Sequence, residues 1–379
     1  MKPVALSGTR GHVPGLPFMD TKTAMQRVGN NCGNLVFQYA ACSIISDKIN
    51  LIGQDVPWQP NQIKAEHKAV VIPSANFLRE NFDLSSYVSF LEKCDLPLVF
   101  LGLGAQADDF SKDSFDFHSS ILRLLDLMRE RSPKISIRGE FTAKVLEKYR
   151  VENYEITGCP SNFINPSPDL GSMIARKLTS PMRSFIAHAD EPWPKNPTKG
   201  QAERKLASWA ANGPGIMVQQ AVPEMIAFLR QNNPFAVDRK AESFEISLAK
   251  AILPEADLDT FRDFIATKMR TYFCVDQWLE DSSHFDFSVG LRLHGNMAAW
   301  QAGTPALWIT HDSRTKELSE TMALPNIGIE DFLEKCETVE DAWKWIEFDS
   351  SAYERRRHDL YSKMSLVASA SGISIRESN

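Results

Sequence analysis

The 379-residue chain contains no CxxC pair, no run of about 18 apolar residues and no excess of positive charge, and each absence removes a class of function. Its six cysteines (Cys32, Cys42, Cys94, Cys159, Cys274, Cys336) lie far apart and follow no secretory leader. They read as reduced residues of a cytosolic protein, and no zinc site is suggested. The opening MKPVALSGTRGHVPG lacks the apolar core of a signal peptide, and no segment is a candidate membrane span. The expected location is the cytoplasm, with the inner face of the membrane as a further option. The cluster Arg355, Arg356, Arg357 would allow peripheral contact with lipid head groups, or else form a solvated helix face. A formal net charge of −6 gives no general affinity for nucleic acid, so positive charge that holds an anion must be concentrated locally.

With 43% hydrophobic and 24% charged residues, the chain has the composition of a globular protein and the length for two domains. Short apolar runs at 69–72, 96–101, 135–137 and 154–157 alternate with amphipathic stretches at 86–94, 119–131 and 140–150. This is the pattern of a parallel sheet covered by helices. A Pro- and Ser-rich segment, 165–183, reads as a linker, after which the alternation restarts. Strands are expected at 184–188, 216–219, 271–274, 285–290 and 306–310, with helices at 201–211, 258–269 and 314–322. The expected fold is α/β, two Rossmann-like domains facing across a cleft: residues 1–175, then 176–349, with a C-terminal helix in 350–379 that could pack back on the first domain.

In open α/β sheets ligands bind beyond the carboxyl ends of the strands, and four such junctions stand out. The loop GNNCGNL (29–35) places Asn30, Gly33 and Asn34 before an apolar helix, where free amides favour an anion and a tight loop with an Asn cap is the equal alternative. LVFLGLGAQ (98–106) ends on Gln106, a polar residue just past a strand; Gly102 and Gly104 fit a close-packed turn. In KISIRGEFTAKVL (134–146), Arg138 follows its strand directly, as a partner for a carboxylate or phosphate or in an ion pair with Glu140. The turn TGCPSNF, with Ser161, could line the same cleft. In VGLRLHGNMAAWQAGTP (289–305), Arg292 and His294 arrive where a helix of small residues begins. Arg292 could fix an anion while His294 exchanges protons with it, although a lone histidine would more often be a packing residue. The loop after the next strand carries His311, Asp312 and Arg314; Asp312 reads as a base or a helix N-cap, and Arg314 as facing a ligand anion. Trp193, Trp209 and Trp278 could stack on sugar rings or serve packing.

Taken together, GNNCGNL, VIPSANFL, FLGLGAQ, SIRGEFT, TGCPSNF and above all GLRLHGNMAAWQAGTPALWITHDSRTKEL followed by LPNI resemble the polysaccharide pyruvyl transferase family over residues 29–327. The resemblance implies a GT-B-like fold with the acceptor on the first domain and the donor on the second. It implies transfer of the pyruvyl group of phosphoenolpyruvate, as donor substrate and without a cofactor or metal, to hydroxyls of a saccharide or lipid-linked saccharide, forming a ketal. It places Arg138, Arg292 and His294 in donor binding and catalysis, and Arg314 where many members carry lysine. Asn34 replaces an acid that many members have, so no base is expected there. Two rivals remain: a nucleotide-sugar GT-B glycosyltransferase, and a non-catalytic anion- or sugar-binding protein.

Overall fold

The structure is a computed structural model and describes residues 2–107, 115–193, 196–230 and 242–377. In the first half, β1 (Val4–Leu6), β2 (Ile49–Leu51), β3 (Val70–Pro73) and β4 (Leu98–Leu101) form a parallel sheet in the order β2-β1-β3-β4. A parallel bridge between Leu103 and Ile137 carries that sheet on to β5 (Ile135–Ile137) and β6 (Tyr154–Ile156). The second half contains β7 (Phe185–His188), β8 (Gly215–Val218), β9 (Met269–Arg270), β10 (Phe287–Gly290), β11 (Ala306–Thr310) and β12 (Asn326–Gly328), all parallel, ordered β12-β11-β10-β7-β8-β9. Strand order in this sheet reverses between β7 and β10, the position where a doubly wound sheet opens a crevice at its carboxyl edge. FIAH, FSVG and ALWIT are buried throughout, which is why these strands read as continuous apolar runs and not as alternating ones.

The carboxyl edges of the two sheets face each other and touch. Cys32 N donates to Gln220 O at 2.9 Å, Val13 N to Phe273 O at 3.1 Å and Val275 N to Gly11 O at 2.8 Å, each from one half to the other. The expected two-half, GT-B-like α/β architecture is therefore the one observed. The helix Leu293–Gln301 sits between the second sheet and the first half, against the helix Asn34–Ile44 and the turn Pro160–Phe163. Its small residues Gly295, Ala298 and Ala299 are buried and let it lie close to its neighbours.

The C-terminal helix Ser350–Ala370 packs on the first half. Arg357 donates through Nε to Asn162 O at 2.9 Å, through Nη1 to Ser167 O at 2.8 Å, and through Nη2 to Asn165 O. These bonds dismantle the basic cluster read from sequence: Arg357 is buried, Arg356 Nε donates to Thr321 O at 2.8 Å, and Arg355 is the one left facing solvent. Among the described residues no helix is long and apolar enough to cross a membrane.

Two expectations need correction. Residues 271–274 are not a strand: the edge strand ends at Arg270, and the chain then turns to bond the first half through Phe273 and Val275. The segment 165–183 is not an open linker, because it holds the helix Leu170–Leu178. That helix contains the 175/176 division; its Leu170 and Ile174 are buried, and Ser172 N donates to Glu354 of the C-terminal helix at 2.8 Å.

Candidate active site

The turn from β10 into the helix Leu293–Gln301 is held by Asn296, whose Nδ2 donates to Gly290 O at 3.0 Å while its Oδ1 accepts from Ser288 Oγ at 2.8 Å. That turn delivers Arg292 and His294 in different directions. Arg292 Nη2 lies 2.6 Å from Asp190 Oδ1, just beyond β7, and also donates to Asp190 O at 3.2 Å. Asp190 pairs with Lys199 as well, and its backbone N–H donates to Glu203 Oε2 at 2.9 Å. Burial works against the Asp190 carboxylate, but Arg292 and Lys199 outweigh it and hold the group well below the usual carboxylate range. Glu203 shows the opposite balance, burial pushing it up to about 8. Arg292 keeps a buried Nε–H with no protein partner among the described residues.

His294 points toward the first half. Its Nε2 lies 3.6 Å from Cys159 Sγ, which in turn accepts from Ser161 Oγ at 3.0 Å, and its ring centroid is 5.3 Å from that of Phe37. Burial, reinforced by the charges of Arg138 and Arg314, holds the imidazole well below its ordinary pKa, so it is neutral at pH 7. Gly33 brings the first loop up to it: a Cβ there would stand 3.4 Å from His294 Cβ and 2.6 Å from Gln220 Oε1.

Arg138 is only 1% exposed. Its Nε donates to Gly102 O at 3.0 Å and its Nη1 to Asn76 Oδ1. Asn76 Nδ2 donates to Gln106 Oε1 at 2.8 Å, so Gln106 reaches Arg138 through Asn76. The alternative pairing of Arg138 with Glu140 is not made. Gly104 is bare for the same reason, since a Cβ would lie 2.6 Å from Arg138 Cδ. Arg314 comes from the loop after β11, pairs with Asp312 at 3.3 Å, and has a buried Nε–H without a protein partner among the described residues. Asp312 caps the helix Ser313–Thr321, accepting from Thr315 N at 2.8 Å in a reciprocal capping box, so its carboxylate is committed to structure and to Arg314. His311 Nε2 lies 3.9 Å from Asp312 Oδ2.

The structure thus brings Arg138, His294, Arg314, Asp312, Ser161, Gly33 and Gln106 together where the two halves meet, while Arg292 turns to Asp190 in the second half. It does not bring Asn30 or Asn34 there. Asn34 Nδ2 donates to Val28 O at 3.0 Å, closing its own loop, and Asn30, with φ 59°, is exposed on a separate groove of about 210 Å³ beside Thr21 and Glu224. Of the tryptophans, Trp278 is fully buried on Tyr272, Trp209 donates to Glu337 O at 3.1 Å, and Trp193 remains partly exposed against Phe244.

Several residues were missed. Asn76, Cys159 and Glu317 lay inside quoted motifs, whereas Asp190, Lys199 and Glu203 carried no local signal. His188, at the end of β7, is fully buried with neither ring nitrogen bonded within the described residues, and burial lowers it to about 3. A Cβ on Gly295 would stand 2.3 Å from His188 Nδ1 and 2.4 Å from Gln220 Nε2. Gly295→Ala is accordingly expected to destabilise the protein by about 1–3 kcal/mol in chemical denaturation, and an unchanged midpoint would refute this packing.

Two parallel-sheet halves of an α/β protein meet where Arg138, His294 and Arg314 stand, and these residues make up the candidate site. The sequence profile of the polysaccharide pyruvyl transferase family matches residues 31–313, and the chain belongs to that family. No curated protein matches it in sequence. Among solved structures it is similar to Anabaena HepE in complex with UDP and glucose, at 12% identity over 97% of this chain and 98% of that one, with a TM-score of 0.47. A UDP-N-acetylglucosamine 2-epimerase from Rickettsia bellii is similar at 12% identity over 98% and 97%, TM-score 0.44. MnaA of S. aureus, solved with UDP, is similar at 10% identity over 97% and 95%, TM-score 0.41.

Proposed function

We propose that the protein transfers the pyruvyl group of phosphoenolpyruvate to saccharide hydroxyls, forming a ketal and releasing phosphate. The observation that carries this reading is a neutral His294 beside Arg138, with buried guanidinium Nε–H donors of Arg292 and Arg314 left without protein partners at two adjacent strand ends. Phosphoenolpyruvate carries two anionic groups, and buried, preorganised guanidinium donors are suited to both. Arg138 and Arg314 hold the carboxylate, and Arg292 meets the phosphate at the amino-terminal turn of the helix Leu293–Gln301, where amides lack intrahelical partners.

In the reaction the proton of one acceptor hydroxyl passes through His294 to the C3 methylene; the C2=C3 π pair forms the new C3–H bond, and the hydroxyl oxygen bonds to the cation-like C2 that this leaves. The C2–O bond to phosphate then breaks, and the second hydroxyl closes the ketal while its proton leaves with phosphate. A base must be deprotonated to start this sequence, and the environment of His294 keeps it so. The acid limb of kcat/KM is therefore expected below the ordinary imidazole value of 6.5, displaced in the direction of the His294 shift. A limb at or above that value would exclude His294 as the base.

Incubation with phosphoenolpyruvate and a panel of β-galactosides, glucosides and mannosamine-containing saccharides, with phosphate release as the readout, tests the function. Saccharide-dependent release is expected. Consumption of a nucleotide sugar in its place would favour a glycosyltransferase.

A further inference from the structure

Glu317 is a buried carboxyl that the reaction scheme leaves without a role. It rises from the helix Ser313–Thr321 of the second half and crosses into the first, where Oε1 accepts from Thr142 N at 2.7 Å and Oε2 from Thr142 Oγ1 at 3.1 Å. Thr142 lies in the first turn of the helix Glu140–Lys148, where a backbone N–H has no intrahelical acceptor and the helix dipole favours a carboxylate. The passage is kept open by Gly139: a Cβ there would meet Glu317 Cγ and Thr321 Oγ1 at 2.5 Å each.

One turn earlier on the same helix, Ser313 grips the first half a second time. Its Oγ donates to Ala107 O at 2.9 Å and accepts from Ala107 N at 3.2 Å. The two grips are linked within the first half, since Thr142 Oγ1 also accepts from Ala105 N at 3.1 Å. Arg314 follows Ser313 directly, and Arg138 immediately precedes the bare Gly139. The helix that carries one arginine of the cleft is thus fastened, by two side chains, to the backbone that carries the other.

We infer that Glu317 is a positioning residue: with Ser313 it forms the clasp between the halves, setting Arg314 against Arg138 and His294 when the cleft closes. The role in catalysis rests on the pyruvyl-transfer reading, while the clasp itself stands on the contacts between the halves. On closing Glu317 loses its hydration, and this burial pushes its carboxyl up to about 7 against the two hydrogen bonds to Thr142 and the field of Arg138, which favour the charged form. Closure is accordingly a balance that opening can reverse, as a cleft that must admit an acceptor requires.

The test compares the full-length protein with Glu317→Ala, Glu317→Gln and Thr142→Val. The separation of the halves is read by a pair of spin labels, one on each half, and kinetics are read with phosphoenolpyruvate. Glu317→Ala is expected to lengthen or broaden the distance distribution and to raise KM for phosphoenolpyruvate about tenfold, the net effect of losing both hydrogen bonds to Thr142 against the burial they offset. Glu317→Gln, which keeps an acceptor for Thr142 N, should restore most of the closed population. Combining Glu317→Ala with Thr142→Val should add little to either single change. An unaltered distance distribution in Glu317→Ala, or full additivity of the two changes, would overturn the clasp. If the distances respond as expected but the parent protein does not turn over phosphoenolpyruvate, the clasp stands and the pyruvyl-transfer reading fails.

Discussion

Replacing His294 with alanine is expected to lower kcat for ketal formation by about 10²–10⁴-fold, the range supplied by a positioned proton-transfer group. The fold should survive the change. His294 is half-buried, its ring lies against Phe37 and its Nε2 against Cys159 Sγ, and the turn it stands on is fixed independently by Asn296. Circular dichroism and thermal unfolding should therefore resemble the parent's while turnover collapses. His294→Asn, which keeps a polar group of similar reach but cannot exchange a proton near neutrality, should be as inactive as His294→Ala. A variant retaining more than a tenth of parental kcat would show that another group moves the proton.

Arg138→Ala should damage both stability and activity, because the side chain does two kinds of work. It neutralises the acceptors Gly102 O and Asn76 Oδ1 in the interior, and its positive charge bears on both His294 and Glu317. Leaving those acceptors unpaired is expected to cost about 2–4 kcal/mol in chemical denaturation. Loss of the charge facing the donor is expected to lower kcat/KM for phosphoenolpyruvate by about 10²–10³-fold. Arg138→Lys retains the charge but not the planar fork that serves two acceptors at once, so it should recover less of kcat/KM than a simple charge argument implies. If Arg138→Ala kept kcat/KM within tenfold of the parent, the donor would not be held there.

Much of the architecture was legible because parallel strands buried on both faces leave uninterrupted apolar runs, as at 98–101 and 306–310. The strands that escaped notice, Val4–Leu6, Ile49–Leu51 and Asn326–Gly328, are three residues long and bounded by polar or turn residues, too short to stand out. Strand order was not legible either, since the reversal between β7 and β10 depends on pairings a hundred residues apart in sequence. In the cleft, Arg138, Arg292, His294 and Arg314 could be found because each stands just past a strand. Asn30 and Asn34 were read as a strand-end junction too, but a helix, Thr21–Arg27, precedes their loop; the side chain of Asn34 is spent on that loop and Asn30 faces solvent. What the sequence concealed is pairing: Asp190 on Arg292, Cys159 on His294, Glu317 on Thr142. These contacts form only when distant segments, in two cases from opposite halves, come together.

The proposed reaction moves a pyruvyl group from an enol phosphate to a saccharide. Its most direct test is to supply phosphoenolpyruvate labelled with ¹³C at C2 together with the saccharide that stimulates phosphate release, and to follow the label by NMR. The vinyl carbon signal is expected to give way to that of a ketal carbon bonded to two sugar oxygens, in step with phosphate release, and His294→Ala is expected to show neither change. Label recovered as free pyruvate, or remaining in phosphoenolpyruvate while the saccharide is modified from a nucleotide sugar, would contradict it.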